Sequence, residues 1–163
     1  YIKSQRPLVI AFNTDSVISD ELIDFRIASH PVRLLSNAPD HLKLPQPLVA
    51  PASALPTAVR NSLKGKDIRD YGLAVARGEF SFDEKYCVLP SSMTVAYALA
   101  FGASGRAAKI EIAGFDGYAT GDPRNSEVDD FLVEFQKESQ TPEIVAITPT
   151  RYSVSTRSVY SVI

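Results

Sequence analysis

Five short polar sets in this chain combine residue types that can hold a ligand. Ser91 and Ser92 stand directly ahead of an apolar run. Two hydroxyls there, with the free N–H groups and positive dipole of a helix start, suit a phosphate. Simple N-capping of that helix needs only one of them. Asp116 lies between Gly114-Phe115 and Gly117-Tyr118, where an apolar run stops. A carboxylate at such a point is a candidate for ribose or cation binding, and equally a residue of a Gly-flanked turn. Asn13, then Ser36 with Asn37, then Thr148 with Thr150, close three further apolar runs. The candidate ligand-binding set is therefore Asn13, Ser36, Asn37, Ser91, Ser92, Asp116, Tyr118, Thr148 and Thr150.

Other chemistries find no support. His30 and His41 have no cysteine or carboxylate at ligand spacing, and a metal site needs three or four converging ligands. No metal is expected in this chain. Cys87 lies in the apolar "YCVLP" and reads as an inert buried thiol. There is no G-x-G-x-x-G after the first apolar run, no G-x-x-x-x-G-K-[ST] and no G-x-S-x-G. The pair Asp129-Asp130 suits the first turn of a helix, where negative charge is favoured.

The elements that must position these residues follow from hydropathy patterning. "PLVIAFN" (7–13), "PVRLLSN" (31–37), "QPLVAP" (46–51), "YGLAVARG" (71–78), "AKIEIAGFDG" (108–117) and "EIVAITPT" (143–150) read as strands. "SDELIDFRIAS" (19–29) reads as a helix capped by Ser19 or Asp20, and 53–66 as a helix from Pro56 to near Gly65. "APDHLKLP" reads as a loop and "FDEKYCVLP" (82–90) as a connection. "SSMTVAYALAFGASG" (91–105) is a helix apolar nearly all round, hence buried. "SEVDDFLVEFQKES" (126–139) opens as a helix on Ser126, with Asp129 completing a near capping box. The tail from Arg151 reads either as a strand or as an ordered extension. Strands alternate with helices throughout, so a single three-layer, Rossmann-like α/β domain with a mostly parallel sheet is expected over 1–163. In such sheets ligands bind beyond the carboxyl ends of the strands, which is where the five polar sets fall.

Composition limits the partners. The chain has 163 residues, 45% hydrophobic and 22% charged, with a formal charge of -2. Those values suit a globular protein. Without a long basic run, no nucleic acid partner is expected. No apolar stretch approaches the ~20 residues that span a bilayer, so no membrane partner is expected either. One cysteine excludes an internal disulfide and fits a reducing, cytoplasmic setting.

The segments "SSMTVAYALAFGASGRAAKIEIAGFDGYATGDPRNSEVDDF" and "VAITPTRYSVSTRSVY" resemble the C-terminal domain attached to some bacterial 4-hydroxy-2-oxovalerate aldolase-like proteins. Those proteins belong to the metal-dependent barrel lyases. "PLVIAFN" with "RIASHPVRLLSN" is compatible with the same domain. The resemblance implies an accessory domain that is the C-terminal portion of a longer chain and has no turnover or cofactor of its own. Its partner would be a preceding catalytic barrel, of ~250 residues, which would hold the divalent metal through an H-x-H pair. A homo-oligomer and a role in surface-polysaccharide or small-carbohydrate metabolism are further implications. A looser likeness runs from "SSMTVAYALAFGASG" into "KIEIAGFDGY". It is similar to a segment of bacterial sialyltransferases and pterin diphosphokinase-like proteins that borders a nucleotide pocket. That likeness implies a nucleotide or phosphorylated small molecule beside Ser91, Ser92 and Asp116, and the rival reading of a free-standing nucleotide-dependent transferase. A purely structural or oligomerisation module is the third reading.

Overall fold

The computed structural model describes the backbone of residues 1–162 and side chains through Tyr160. It is a mixed α/β fold of the Rossmann-like kind, with every strand pair parallel except one among the described residues. The chain divides into two compact units, Ile2–Phe101 and the residues from Gly102 onward together with Tyr1.

The first unit begins with the short helix α1 (Ile2–Gln5) and the strand β1 (Ile10–Phe12). A 3₁₀ turn at Asp20–Leu22 leads into β2 (Phe25–Ile27). Helices α2 (Pro31–Ser36) and α3 (Ala38–Lys43) carry the chain to β3 (Leu48–Ala50). Helix α4 (Thr57–Ser62) precedes β4 (Ile68–Asp70). These four strands form one parallel sheet in the order β1-β2-β3-β4. Side chains alternate across a sheet, so Arg26 and Ala28 share a face with their neighbours Leu48 and Ala50. That face packs against Leu34, Ala38, Leu55, Val59 and Leu63 of the crossovers to make the core. β5 (Gly72–Val75), β6 (Ser81–Phe82) and β7 (Tyr86–Leu89) form a second sheet, in which β5 and β7 are parallel and β6 returns antiparallel. Helix α5 (Thr94–Ser104) follows, and the boundary between the units falls within it. Tyr97 anchors α5 by donating its buried hydroxyl to the Tyr71 carbonyl between β4 and β5. Cys87 is fully buried, and burial pushes its thiol up to about 12.

The second unit holds β8 (Lys109–Ile112), α6 (Arg124–Lys137), β9 (Glu143–Ala146) and β10 (Ser155–Thr156). Its parallel sheet has the order β10-β9-β8. Val128, Phe131, Leu132 and Phe135 are the buried stripe of α6, as the helical spacing predicts. Tyr1 donates its hydroxyl to Glu111 on β8, and Lys109 and Arg157 also bond that carboxylate.

Five local expectations are corrected. The predicted helix over 19–29 is a 3₁₀ turn followed by a strand. Pairing on both sides decides this: β2 is bonded to β1 and β3, and burying Arg26, Ile27 and Ala28 between them outweighs weak helix propensity. The predicted strand at 31–37 is α2, because Pro31 fits the first helical position, where its missing N–H costs nothing. The predicted loop "APDHLKLP" is largely α3, with Pro39 in the same role. Helix α6 starts at Arg124 rather than at Ser126, so the capping box does not form; Ser126 Oγ instead donates back to the Pro123 carbonyl at 2.8 Å. The connection at 82–90 contains β7 and the end of β6. The tail is a two-residue strand followed by a 3₁₀ turn at Val159–Val162, and Ile163 lies outside the described residues.

Candidate functional site

In the first unit the carboxyl ends of the strands carry Asn13, Ser29 and the Pro90-Ser91-Ser92 turn. Asn13 follows β1 with φ 52°, a left-handed conformation that asparagine tolerates. Its N–H donates to the Ile27 carbonyl at 3.0 Å, and its carbonyl accepts from Arg26 at 3.4 Å. Ser29 is buried immediately after β2. Its hydroxyl lies 3.2 Å from Thr94 Oγ1 and donates to the Ser92 carbonyl at 3.3 Å. The end of β2 is thereby fastened to the first turn of α5. That turn contains no acidic residue, so it supplies no carboxylate of its own to the positive end of the helix dipole. Ser92 is exposed. Ser91 Oγ is closed off from solvent and has no hydrogen-bond partner within the chain. A buried hydroxyl without a partner costs about 1–3 kcal/mol, so Ser91 retains a donor that a ligand oxygen would satisfy.

Ser36 and Asn37 stand elsewhere. They end α2 rather than a strand: the Asn37 N–H caps the Arg33 carbonyl, and Ser36 Oγ bonds the same carbonyl and Asn37 Oδ1, each at 3.2 Å. The Asn37 carbonyl then accepts from Asp40 and His41, which starts α3. Both residues are corrected from strand tip to helix junction, as a consequence of Pro31 opening a helix.

In the second unit Asp116, Tyr118, Thr148 and Thr150 do gather at the carboxyl ends of β8 and β9. The bonds of Thr148, Thr150 and Tyr118 run to other residues of the facing loops and to Asn125 of α6. Thr148 Oγ1 accepts from the Gly114 N–H at 2.9 Å. Thr150 Oγ1 donates to the Phe115 carbonyl at 2.7 Å and accepts from Tyr152 at 3.2 Å. Asn125, buried on α6, accepts from the Tyr118 N–H at 2.9 Å and donates to the Tyr118 and Ala119 carbonyls. Tyr152 donates its hydroxyl to the same amide oxygen at 3.1 Å. Arg151 crosses Gly117 so closely that a Cβ there would lie 2.2 Å from its side chain, and Gly117 has φ 97°. The positive φ favours glycine there, and a Cβ would also force the Arg151 side chain to move. Asp116 stays exposed. Arg124 covers the exposed Tyr118 ring at 4.0 Å and clasps Asp122, whose hydrogen bonds to Arg124 pull its carboxyl down to about 2.

Sequence reasoning missed Ser29, Thr94 and Asn125. Ser29 was hidden by the helical reading of 19–29, although a serine directly after a buried strand is a detectable sign. Thr94 is visible in "SSMT" as a third hydroxyl at a helix start. Nothing local marks Asn125, whose partners are a loop before it and Tyr152 after it.

Among the described residues no group of three or more His, Cys, Asp or Glu side chains is placed to hold a metal, and no helix is long and apolar enough to cross a membrane. No protein-family model matches the chain, and neither a curated protein nor a solved structure matches it.

Proposed function

We propose that this chain is an accessory α/β domain of an aldolase-like protein and binds a nucleotide or other phosphorylated small molecule at the turn between β7 and α5. The observation that carries the binding site is the solvent-excluded, unpartnered hydroxyl of Ser91 at the start of an eleven-residue helix. A phosphate there would take the N–H groups of the first turn of α5, in the field of the helix dipole, and the Ser91 hydroxyl once the atoms covering it shift aside. Ser92 adds a second, exposed hydroxyl. Ser29 holds the turn in place through Thr94 and the Ser92 carbonyl.

The aldolase-like parent rests on the resemblance of the "GFDGY" and "TPTRY" segments. The metal of that family does not fit this chain's own residues. His30 and His41 form no H-x-H, and no donor cluster stands near either among the described residues. No step of carbon–carbon cleavage is assigned here; that chemistry would belong to a barrel elsewhere in the protein. An interaction module is a second reading, favoured by exposed Leu8, Phe12 and Val17 around the edge strand β1.

Thermal unfolding with inorganic phosphate, nucleotides, nucleotide sugars and pterins tests the binding site. A ligand at one hundred times its Kd stabilises the native state by about 2.7 kcal/mol. The expected result is a raised Tm with at least one phosphorylated ligand, lost in Ser91→Ala. No shift with any of them favours the interaction module. A coding sequence upstream that specifies a barrel with an H-x-H pair supports the parent, and its absence removes it.

A further inference from the structure

Beneath α3, in the first unit, three buried polar side chains leave bonds unmade within the chain: Arg26 at Nε, His41 at Nδ1 and Gln46 at Oε1. Arg26 and His41 are each 1% exposed. Positive charge bears on the imidazole from two residues: Arg26 on β2, and Lys66 in the turn before β4, whose ammonium bonds the Leu44 carbonyl just past the end of α3. The nearby carboxylates are already engaged. Asp20 is paired with Arg26 at 2.6 Å, and Asp40, one residue before His41, with Lys43 at 3.0 Å. Gln46 donates to the Asp20 carbonyl, not to the imidazole.

We propose that His41 is a pH-sensitive latch: neutral, it closes α3 over the sheet, and protonated it becomes a third cation beside Arg26 and Lys66 and releases α3. A buried charge without a partner is costly, so opening the segment to water is the cheaper way to accommodate the proton. The direction of titration agrees. Burial first, then Lys66 and Arg26, hold the imidazole below its ordinary value of 6.5, with only Asp40 opposing them. The opened state binds the proton more readily than the closed one. Closure is therefore fully stable above about 6.5 and weakens as the pH falls from there towards the lowered native value.

Amide hydrogen exchange across α3 in the full chain, corrected for intrinsic rates, reads the opening constant between pH 7.5 and 5. Below pH 6.5 this constant is expected to rise by up to about tenfold per pH unit, and His41→Gln is expected to flatten that rise. An unchanged slope in a folded His41→Gln chain overturns the latch. Where that variant does not fold, the imidazole titration of the unaltered chain, followed by NMR, decides. His30 is the other imidazole in the sequence, so assignment needs one variant. Titration at or above 6.5 overturns the proposal. Titration below it, moving upward in Lys66→Met, supports the cationic crowding on which the latch depends.

Discussion

The two units place polar residues at the carboxyl ends of parallel strands in different ways. In the second unit Thr148, Thr150 and Asn125 bond backbone groups of the facing loops, and the cluster holds itself together. In the first, Ser29 fastens β2 to α5, yet the Ser91 hydroxyl beside it has no partner within the chain. Convergence of polar side chains is common to both. What separates them is whether each donor and acceptor is matched internally, because matched groups build a turn and an unmatched buried one has capacity for a ligand.

Substitutions sharpen this contrast, and the largest effect is expected at Asn125. Asn125→Ala removes the acceptor shared by the Tyr118 N–H and the buried Tyr152 hydroxyl, while the Tyr118 and Ala119 carbonyls keep Arg151 and the Asp122 N–H as donors. Urea unfolding should show a loss of about 3 kcal/mol. A loss near zero would mean that the second cluster is not self-supporting. Thr148→Val keeps the shape but deletes the acceptor for Gly114, so a smaller loss of about 1 kcal/mol is expected in the same measurement, with phosphate-ligand binding unaffected. Ser91→Ala should leave stability unchanged or raise it slightly, since it deletes an unmatched buried hydroxyl, while abolishing the ligand-induced Tm shift. A clear destabilisation would show that Ser91 is matched after all and would erase the difference between the units.

The mildest effect concerns pH. Asp122 is held down to about 2 by Arg124, against an ordinary value of 3.8. Its contribution is present above about 4 and is lost as the pH falls towards 2. Comparing Asp122→Asn with the unaltered chain across that range should show the two stability curves converging at the acid end. The His41 latch acts in a separate window, below 6.5.

Strong apolar runs were legible. "PLVIAFN", "QPLVAP", "AKIEIAGFDG" and "EIVAITPT" contain β1, β3, β8 and β9, and "SSMTVAYALAFGASG" contains the buried α5. Their composition marks both the element and its burial. The exchange of helix and strand between 19 and 37 was not legible for two reasons. β2 has only three residues and includes the buried cation Arg26, too short and too mixed for a period to register. The apolar residues of "PVRLLSN" satisfy a strand pattern as well as a helix pattern, and Pro31 alone favours the helix. With those two elements exchanged, Ser36 and Asn37 appeared at a strand tip and Ser29 disappeared from one.

Hydrophobic patterning was enough to indicate a mixed α/β chain with parallel pairing and a buried helix after Ser91-Ser92, because burial and period are written in consecutive residues. Which polar groups are already matched depends on the folded arrangement. Thr148 meets Gly114 from 34 positions away and Ser29 meets Thr94 from 65, so whether a hydroxyl is engaged depends on contacts that no local window contains.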